Sequence, residues 1–217
     1  MLKIAPSILA GDFLNLRKDL DIVNENADLL HVDVMDGTFV PNISFGFPLV
    51  EAMAKVVTVP MDVHLMIINP DKYVERFAKA GAGLISFHLE AALREGKNPS
   101  DILAMVKDCG CQAGLATNPD IPVESLFPYI EDSDFFLIMS VFAGFGGQKF
   151  IPETMDKIRF IKAEIERRGL QTLIEIDGGV NTHNAAELFA AGADVLVAGS
   201  AVFGAPDPEQ AIREMKA

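Results

Sequence analysis

The sequence predicts a single-domain α/β protein folded as a closed (β/α)8 barrel of the TIM type. Three observations lead there. Eight short segments rich in Val, Ile and Leu recur near residues 3–7, 29–34, 60–66, 84–88, 112–117, 134–141, 172–177 and 194–198. Stretches with the apolar period of an amphipathic helix lie between them. The units repeat at roughly 30 residues, the length of a strand with its crossover helix, and eight of them point to a closed barrel rather than a doubly wound open sheet. Composition agrees. Half of the 217 residues are hydrophobic, which suffices for one sizeable core, and no linker or low-complexity tract divides residues 1–217.

The helices carry their own punctuation. "DFLNLRKDLDIVNENA" starts on Asp12 as a candidate N-cap and places Phe13, Leu16, Leu20 and Val23 on one face. "NPDKYVERFAKAGA" sets Pro70 in the first turn behind an Asn69 cap and ends at Gly81. "PETMDKIRFIKAEIERRGL" runs to Gly169 and "NTHNAAELFAAGA" to Gly192, each glycine a candidate C-cap.

Charge and cysteine usage narrow the partners. A net charge of −13 argues against nucleic acid or an anionic membrane. A small anionic substrate stays open, because backbone amides and helix N-termini bind anions locally. Cys109 and Cys111, the only cysteines, are too few for a disulfide framework and are expected to be reduced thiols. "MLKIAPSILAGDF" lacks the apolar core of a secretion signal, and no apolar run is long enough to span a bilayer. The expectation is a soluble, cytoplasmic protein.

Active sites of such barrels lie at the C-terminal ends of the strands, so the informative strands are those ending in something other than hydrocarbon. In "LLHVDVM", side chains alternate, and His31, Asp33 and Met35 share one face. The third strand, "PMDVHLM", carries His64 and Met66 on one face, and the seventh, "LIEIDGG", ends in Asp177. The first strand ends in Ser7 and the sixth reaches Met139. A single strand-end histidine is usually a hydrogen-bonded core residue. Two imidazoles and two carboxylates converging from three strands shift that balance. His31, Asp33, His64 and Asp177 make an N2O2 set suited to one divalent ion with an open position for substrate. Zinc, iron(II), manganese and cobalt all fit such ligands.

Glycines form the second constellation. "GFGGQ" (144–148) follows the sixth strand, Gly178-Gly179 the seventh, and Gly199-Ser200 the eighth. Glycine is common in ordinary βα turns, but three such turns on neighbouring strands favour a phosphate site, where amides approach the anion closely.

"APSILAGDF", "HVDVMDGTFVPN", "DVHLMI", "GFGGQKF", "EIDGGV" and "VAGSAVFG" together resemble the ribulose-phosphate 3-epimerase family, essentially end to end. The resemblance implies interconversion of ribulose 5-phosphate and xylulose 5-phosphate. It makes His31, Asp33, His64 and Asp177 the metal ligands, with Asp33 and Asp177 also the acid/base pair. It sets Ser7 and His64 against the sugar, and Met35, Met66 and Met139 around the reacting carbons. Gly144, Phe145, Gly146 and Gly147, with Gly199 and Ser200, fall on the phosphate. A dimer or hexamer is implied as well. One departure stands out: Phe142-Ala143 occupies the place where the family usually has Asn-Pro or Asp-Pro, which bears on the stiffness of the loop.

The chemistry is consistent with that resemblance. A carbon acid beside a ketone loses its proton only if the enediolate is stabilised, which a Lewis-acidic ion can do. Inversion takes the proton from one face and delivers another to the opposite face, so two carboxylates are needed. Methionine thioethers would supply polarizable walls without exchangeable protons, although barrel filling accounts for them equally well. Other barrel chemistries fit less well. Decarboxylases with an Asp-x-Lys-x-x-Asp strand need a lysine that His31-Val32-Asp33-Val34-Met35-Asp36 lacks, and Schiff-base aldolases need an inward strand lysine that is absent here. A non-catalytic binding barrel would have no use for two carboxylates facing an ion. An epimerase of a six-carbon ketose phosphate such as allulose 6-phosphate stays open. Asp36-Gly37 reads as a turn, His88 and His183 as ordinary histidines, and Cys109 and Cys111 as lacking metal partners.

Overall fold

The computed structural model describes residues 2–217. Eight parallel strands, β1 (Lys3–Pro6), β2 (Leu30–Met35), β3 (Met61–Met66), β4 (Ala82–His88), β5 (Gln112–Thr117), β6 (Phe135–Met139), β7 (Leu173–Asp177) and β8 (Val195–Ala198), form one sheet. Its ladder runs from β2 through β7 and β8 to β1, and a single parallel bridge between Ser7 and His31 links its two ends. The (β/α)8 barrel is therefore present, nearly closed by its ladder. Each strand lies within two residues of the segment expected from the sequence.

The helices α1 (Leu16–Asn26), α2 (Phe47–Met53), α3 (Val74–Lys79), α4 (Leu89–Arg94), α5 (Pro99–Asp108), α6 (Thr154–Arg168), α7 (Ala185–Ala191), α8 (Ser200–Phe203) and α9 (Pro208–Lys216) surround the sheet. Between β5 and β6 the crossover is a 3-10 segment, Val123–Tyr129. Pro128 inside it and Pro122 before it remove backbone donors, which keeps that stretch out of α-helix. None of the described helices is long and apolar enough to cross a membrane.

Two expected caps are corrected. Asp12 does not cap α1, which begins four residues later behind Asn15. The Asp12 carboxylate instead accepts from the Leu14 amide and from Asn15 Nδ2, closing a turn in the preceding loop. Phe13 consequently lies outside the helix, half exposed and edge-on to Phe45, while Leu20 and Val23 hold the buried face. Asn69 sits in the left-handed region at φ 51° and starts a 3-10 turn, its side chain uncapped, before α3 begins at Val74. The C-caps are as expected: Gly169 (φ 68°) and Gly192 (φ 117°) take left-handed conformations, where glycine carries no Cβ penalty.

Alternation splits the strands into two populations. Val32, Val34, Val63, Leu65, Ile85, Phe87, Ile174 and Ile176 belong to the large apolar cluster beneath the helices. The inward positions of β5, β6 and β8 fill the barrel with Ala116, Phe135, Leu137, Met139, Val195 and Val197. The Phe135 ring occupies the space a Cβ on Gly114 would need, 2.2 Å away, a large-against-small pairing of the kind that close packing requires. On β2, β3, β4 and β7 most inward positions are polar instead: His31, Asp33, Asp62, His64, Ser86, His88 and Glu175 are all buried, with Met35, Met66 and Leu84 among the apolar inward residues. One wall of the barrel is hydrocarbon and the other mostly ionisable.

Candidate active site

The inward faces of β2, β3 and β7 bring His31, Asp33, His64 and Asp177 together, with one ligand atom from each within 4.8 Å of the others. Asp33 Oδ1 lies 3.3 Å from His31 Nε2 and 3.4 Å from His64 Nδ1, and His64 Nδ1 is 3.9 Å from Asp177 Oδ2. His31 Nε2, Asp33 Oδ1 and His64 Nδ1 are buried and have no hydrogen-bond partner among the described residues. Orphaned polar atoms are costly in a dry interior. Ligands about 2.1 Å from a tetrahedral ion stand roughly 3.4 Å apart, close to the spacing around Asp33. The donor set and its orphaned atoms fit a divalent ion.

Electrostatics separates the two carboxylates. Burial alone would raise the Asp33 carboxyl, but the adjoining His31 pulls it well below the usual carboxylate range. Asp177 is pushed up to about 7 by burial and by the charge on Asp33. Burial takes His64 down to about 4, leaving its ring neutral. Burial disfavours a charged His31 too, yet the Asp62 and Asp33 carboxylates outweigh it and raise the imidazole well above its ordinary value. A proton and an ion compete for the same lone pair there. Ser7, at the end of β1, donates its hydroxyl to Asp33 Oδ2 at 2.5 Å and fixes the carboxylate plane.

Above this set opens one cleft. Ser7, Met35, Met66 and Met139 line it together with Gly144, Phe145, Gly146 and Gly147 on one side and Gly178, Gly179, Gly199 and Ser200 on the other. Asp33 and Asp177 reach into it, while His31 and His64 are fully buried next to Asp33 and do not line it. The three methionines are almost completely enclosed. Gly179, at φ 65°, has the Phe150 backbone nitrogen 2.4 Å from where a Cβ would stand, so backbone here approaches backbone more closely than any side chain allows. Gln148 Nε2 donates to the Phe142 and Phe145 carbonyls at 2.7 and 2.9 Å, drawing the glycine loop into a closed turn.

Four polar residues outside the expected set surround it. His31 Nδ1 is 2.5 Å from Asp62 Oδ2 and 3.5 Å from Glu175 Oε1, and burial and the Asp62 charge raise the Glu175 carboxyl well above its ordinary range. His88, expected to be ordinary, places Nε2 2.9 Å from His64 Nε2 and Nδ1 3.1 Å from Glu90 Oε1. The period of two carried the signal for three of them: Asp62 shares a strand face with His64 and Met66, Glu175 with Asp177, and His88 with Ser86. Glu90, two residues past the end of β4, has no such periodic signal. His183 is exposed, and Cys111 is buried and donates its thiol to the Ala82 carbonyl.

The comparisons with known proteins agree with one another. The model of the ribulose-phosphate 3 epimerase family matches residues 3–203. A ribulose-phosphate 3-epimerase of Mycobacterium bovis is 45% identical over 213 residues, covering 98% of this chain and 91% of the relative. One of Bacillus subtilis is 45% identical over 218 residues, covering 100% and 99%. Among solved structures, a mutant tryptophan synthase alpha-subunit from Pyrococcus furiosus superposes with a TM-score of 0.70 at 16% identity, covering 100% of this chain and 98% of the other. At that identity the likeness is one of barrel fold.

Proposed function

The chain belongs to the ribulose-phosphate 3-epimerase family, and from that premise we propose a metal-dependent epimerase that interconverts D-ribulose 5-phosphate and D-xylulose 5-phosphate by two-base proton transfer at C3. The observation that carries the reading is the pair of carboxylates, Asp33 from β2 and Asp177 from β7, reaching into a glycine-lined cleft beside two buried imidazoles. His31 Nε2, His64 Nδ1, Asp33 and Asp177 would hold one divalent ion. When bound, the ion supplies Lewis acidity at the substrate's carbonyl and hydroxyl oxygens.

The protein's own residues do the rest. Asp33 and Asp177 would stand on either side of the reacting carbon, one taking its proton and the other delivering one to the opposite face. The reverse reaction exchanges the roles. Ser7 keeps Asp33 in one orientation. Met35, Met66 and Met139 exclude water from the carbon between the carboxylates without offering a competing proton. The amides of 144–147, Gly178-Gly179 and Gly199-Ser200 take the phosphate, which fixes where C3 lies.

Turnover of purified enzyme on ribulose 5-phosphate, unphosphorylated ribulose and allulose 6-phosphate tests the reading. kcat/KM for ribulose 5-phosphate is expected to exceed that for ribulose by at least about a thousandfold, about 4 kcal/mol of binding energy used in the transition state. Equal values for ribulose and its phosphate would remove the phosphate site. Faster turnover of allulose 6-phosphate would replace the five-carbon substrate, which the names of the relatives support.

A further inference from the structure

We propose that Glu90 is a positioning residue that ties the His64 imidazole to the base of the glycine loop, so that occupancy of the ion site and geometry of the phosphate loop are linked through one chain of hydrogen bonds. The inference rests on the ion-binding reading of His64 given above. Its basis is a continuous set of contacts across β3, β4 and the segments that follow β4, β5 and β6. His64 Nε2 meets His88 Nε2 at 2.9 Å, and His88 Nδ1 meets Glu90 Oε1 at 3.1 Å. The same Glu90 oxygen accepts from the Asn118 backbone amide at 2.9 Å and from Asn118 Nδ2 at 2.8 Å. Asn118 Oδ1 accepts from the Ala143 amide at 2.9 Å. Ala143 directly precedes Gly144, so the chain ends where the loop starts.

With both imidazoles neutral, the order of donors and acceptors permits one arrangement. A carboxylate is acceptor-only and a neutral imidazole carries one donor and one acceptor nitrogen. Glu90 therefore requires the His88 proton on Nδ1. That leaves His88 Nε2 as an acceptor, which requires the His64 proton on Nε2. His64 Nδ1 is then a bare lone pair, and it is the nitrogen that faces Asp33 and Asp177. In the opposite tautomer, His88 Nδ1 would face the Glu90 carboxylate without a hydrogen, two acceptors in contact. Glu90 thus selects the His64 tautomer that can take an ion, as an outer carboxylate does for a metal-bound histidine, here through an intervening ring. His88 is fully buried and the Phe39 ring lies against it with centroids 4.7 Å apart, which holds the imidazole between its two partners.

The other end is equally specific. Lys157 Nζ donates to the Pro119 and Ile121 carbonyls, which pins the stretch just past Asn118. Asn118 then offers its side-chain oxygen to Ala143 from a fixed position. The Ala143 N–H makes this possible: a proline there would have no donor. Tightening the His64–His88–Glu90 contacts on ion binding orders Asn118, and Asn118 orders the entrance to the loop. The dependence is reciprocal for binding.

Amide hydrogen exchange at Ala143, read by NMR in the zinc-free and Zn2+-loaded full chain, together with Zn2+ affinity from chelator competition, tests the link. In the wild type, Zn2+ is expected to slow Ala143 exchange by at least about fivefold, the lower end of typical site-to-site coupling. Glu90→Ala is expected to weaken Zn2+ binding by ten- to a hundredfold and to abolish the slowing. Glu90→Gln, whose amide oxygen still accepts from His88, is expected to recover most of both, which a loss of bulk alone would not explain. Asn118→Ala leaves the His88–Glu90 contact in place and is expected to bind Zn2+ yet show no slowing; it serves also if Glu90→Ala does not fold. Wild-type Ala143 exchange that ignores Zn2+, or wild-type slowing retained in Asn118→Ala or Glu90→Ala, would overturn the link. Absence of any Zn2+ binding to the wild type would overturn the ion reading itself, and the chelator competition distinguishes that result from the others.

Discussion

Asp177→Asn is expected to lower kcat for epimerisation by about a thousandfold or more. The replacement keeps the side-chain volume and one acceptor oxygen but can neither take nor release a proton at ordinary pH. A positioned general acid or base contributes about 10²- to 10⁴-fold, and here its loss leaves one face of C3 without a proton source. Asp177 also faces His64 Nδ1 at 3.9 Å, so the variant is to be compared at equal ion content, verified by elemental analysis. At equal content, exchange of the C3 hydrogen of one epimer alone is expected to survive slowly through Asp33. A kcat within tenfold of wild type in the loaded variant would show that Asp177 transfers no proton.

His64→Ala is expected to remove ion and activity together. The substitution deletes the Nδ1 donor and strands His88 Nε2 against a cavity, since that nitrogen's partner is His64. Loss of an outer-shell partner costs ten- to a hundredfold in metal affinity, and loss of a ligand itself is expected to exceed about a hundredfold. The orphaned imidazole adds about 1–3 kcal/mol of destabilisation, readable as a lower thermal midpoint. Elemental analysis after dialysis against a chelator, with turnover measured on the same sample, checks both. Full activity in metal-free protein would contradict the ion's role.

Much of this architecture was legible before any coordinates. Eight apolar segments alternating with helix-period stretches point to a barrel, and each segment stands out because parallel strands covered on both faces read as near-continuous hydrocarbon. The polar interruptions at His31, Asp33, His64 and Asp177 stand out against that background, and alternation places them on the inward face. What sequence reading missed lies one register step deeper. Asp62 and Glu175 occupy inward positions too, but they are ordinary acidic letters until the structure shows them against the far side of His31. His88 looked ordinary because its partner comes from a neighbouring strand, and strand register is not written in either segment alone. Asp12 misled for a different reason: its carboxylate satisfies a local turn, and short polar side chains serve turns and caps by the same hydrogen bonds. Glu90 and Asn118 were invisible because their roles arise from contacts between loops on different strands, which local periodicity does not encode.

The central claim, that Asp33 and Asp177 act on opposite faces of one carbon, is tested most directly by running the wild-type reaction in D₂O and sampling it early. On that claim each carboxylate would exchange its proton with solvent between turnovers, and the proton removed by one would not be the proton delivered by the other. Product is therefore expected to carry deuterium at C3 from the first turnover, while unreacted substrate stays mostly protiated. Product that retains its original C3 hydrogen would mean that a single group carries the proton from face to face, and the two-base assignment of Asp33 and Asp177 would be wrong.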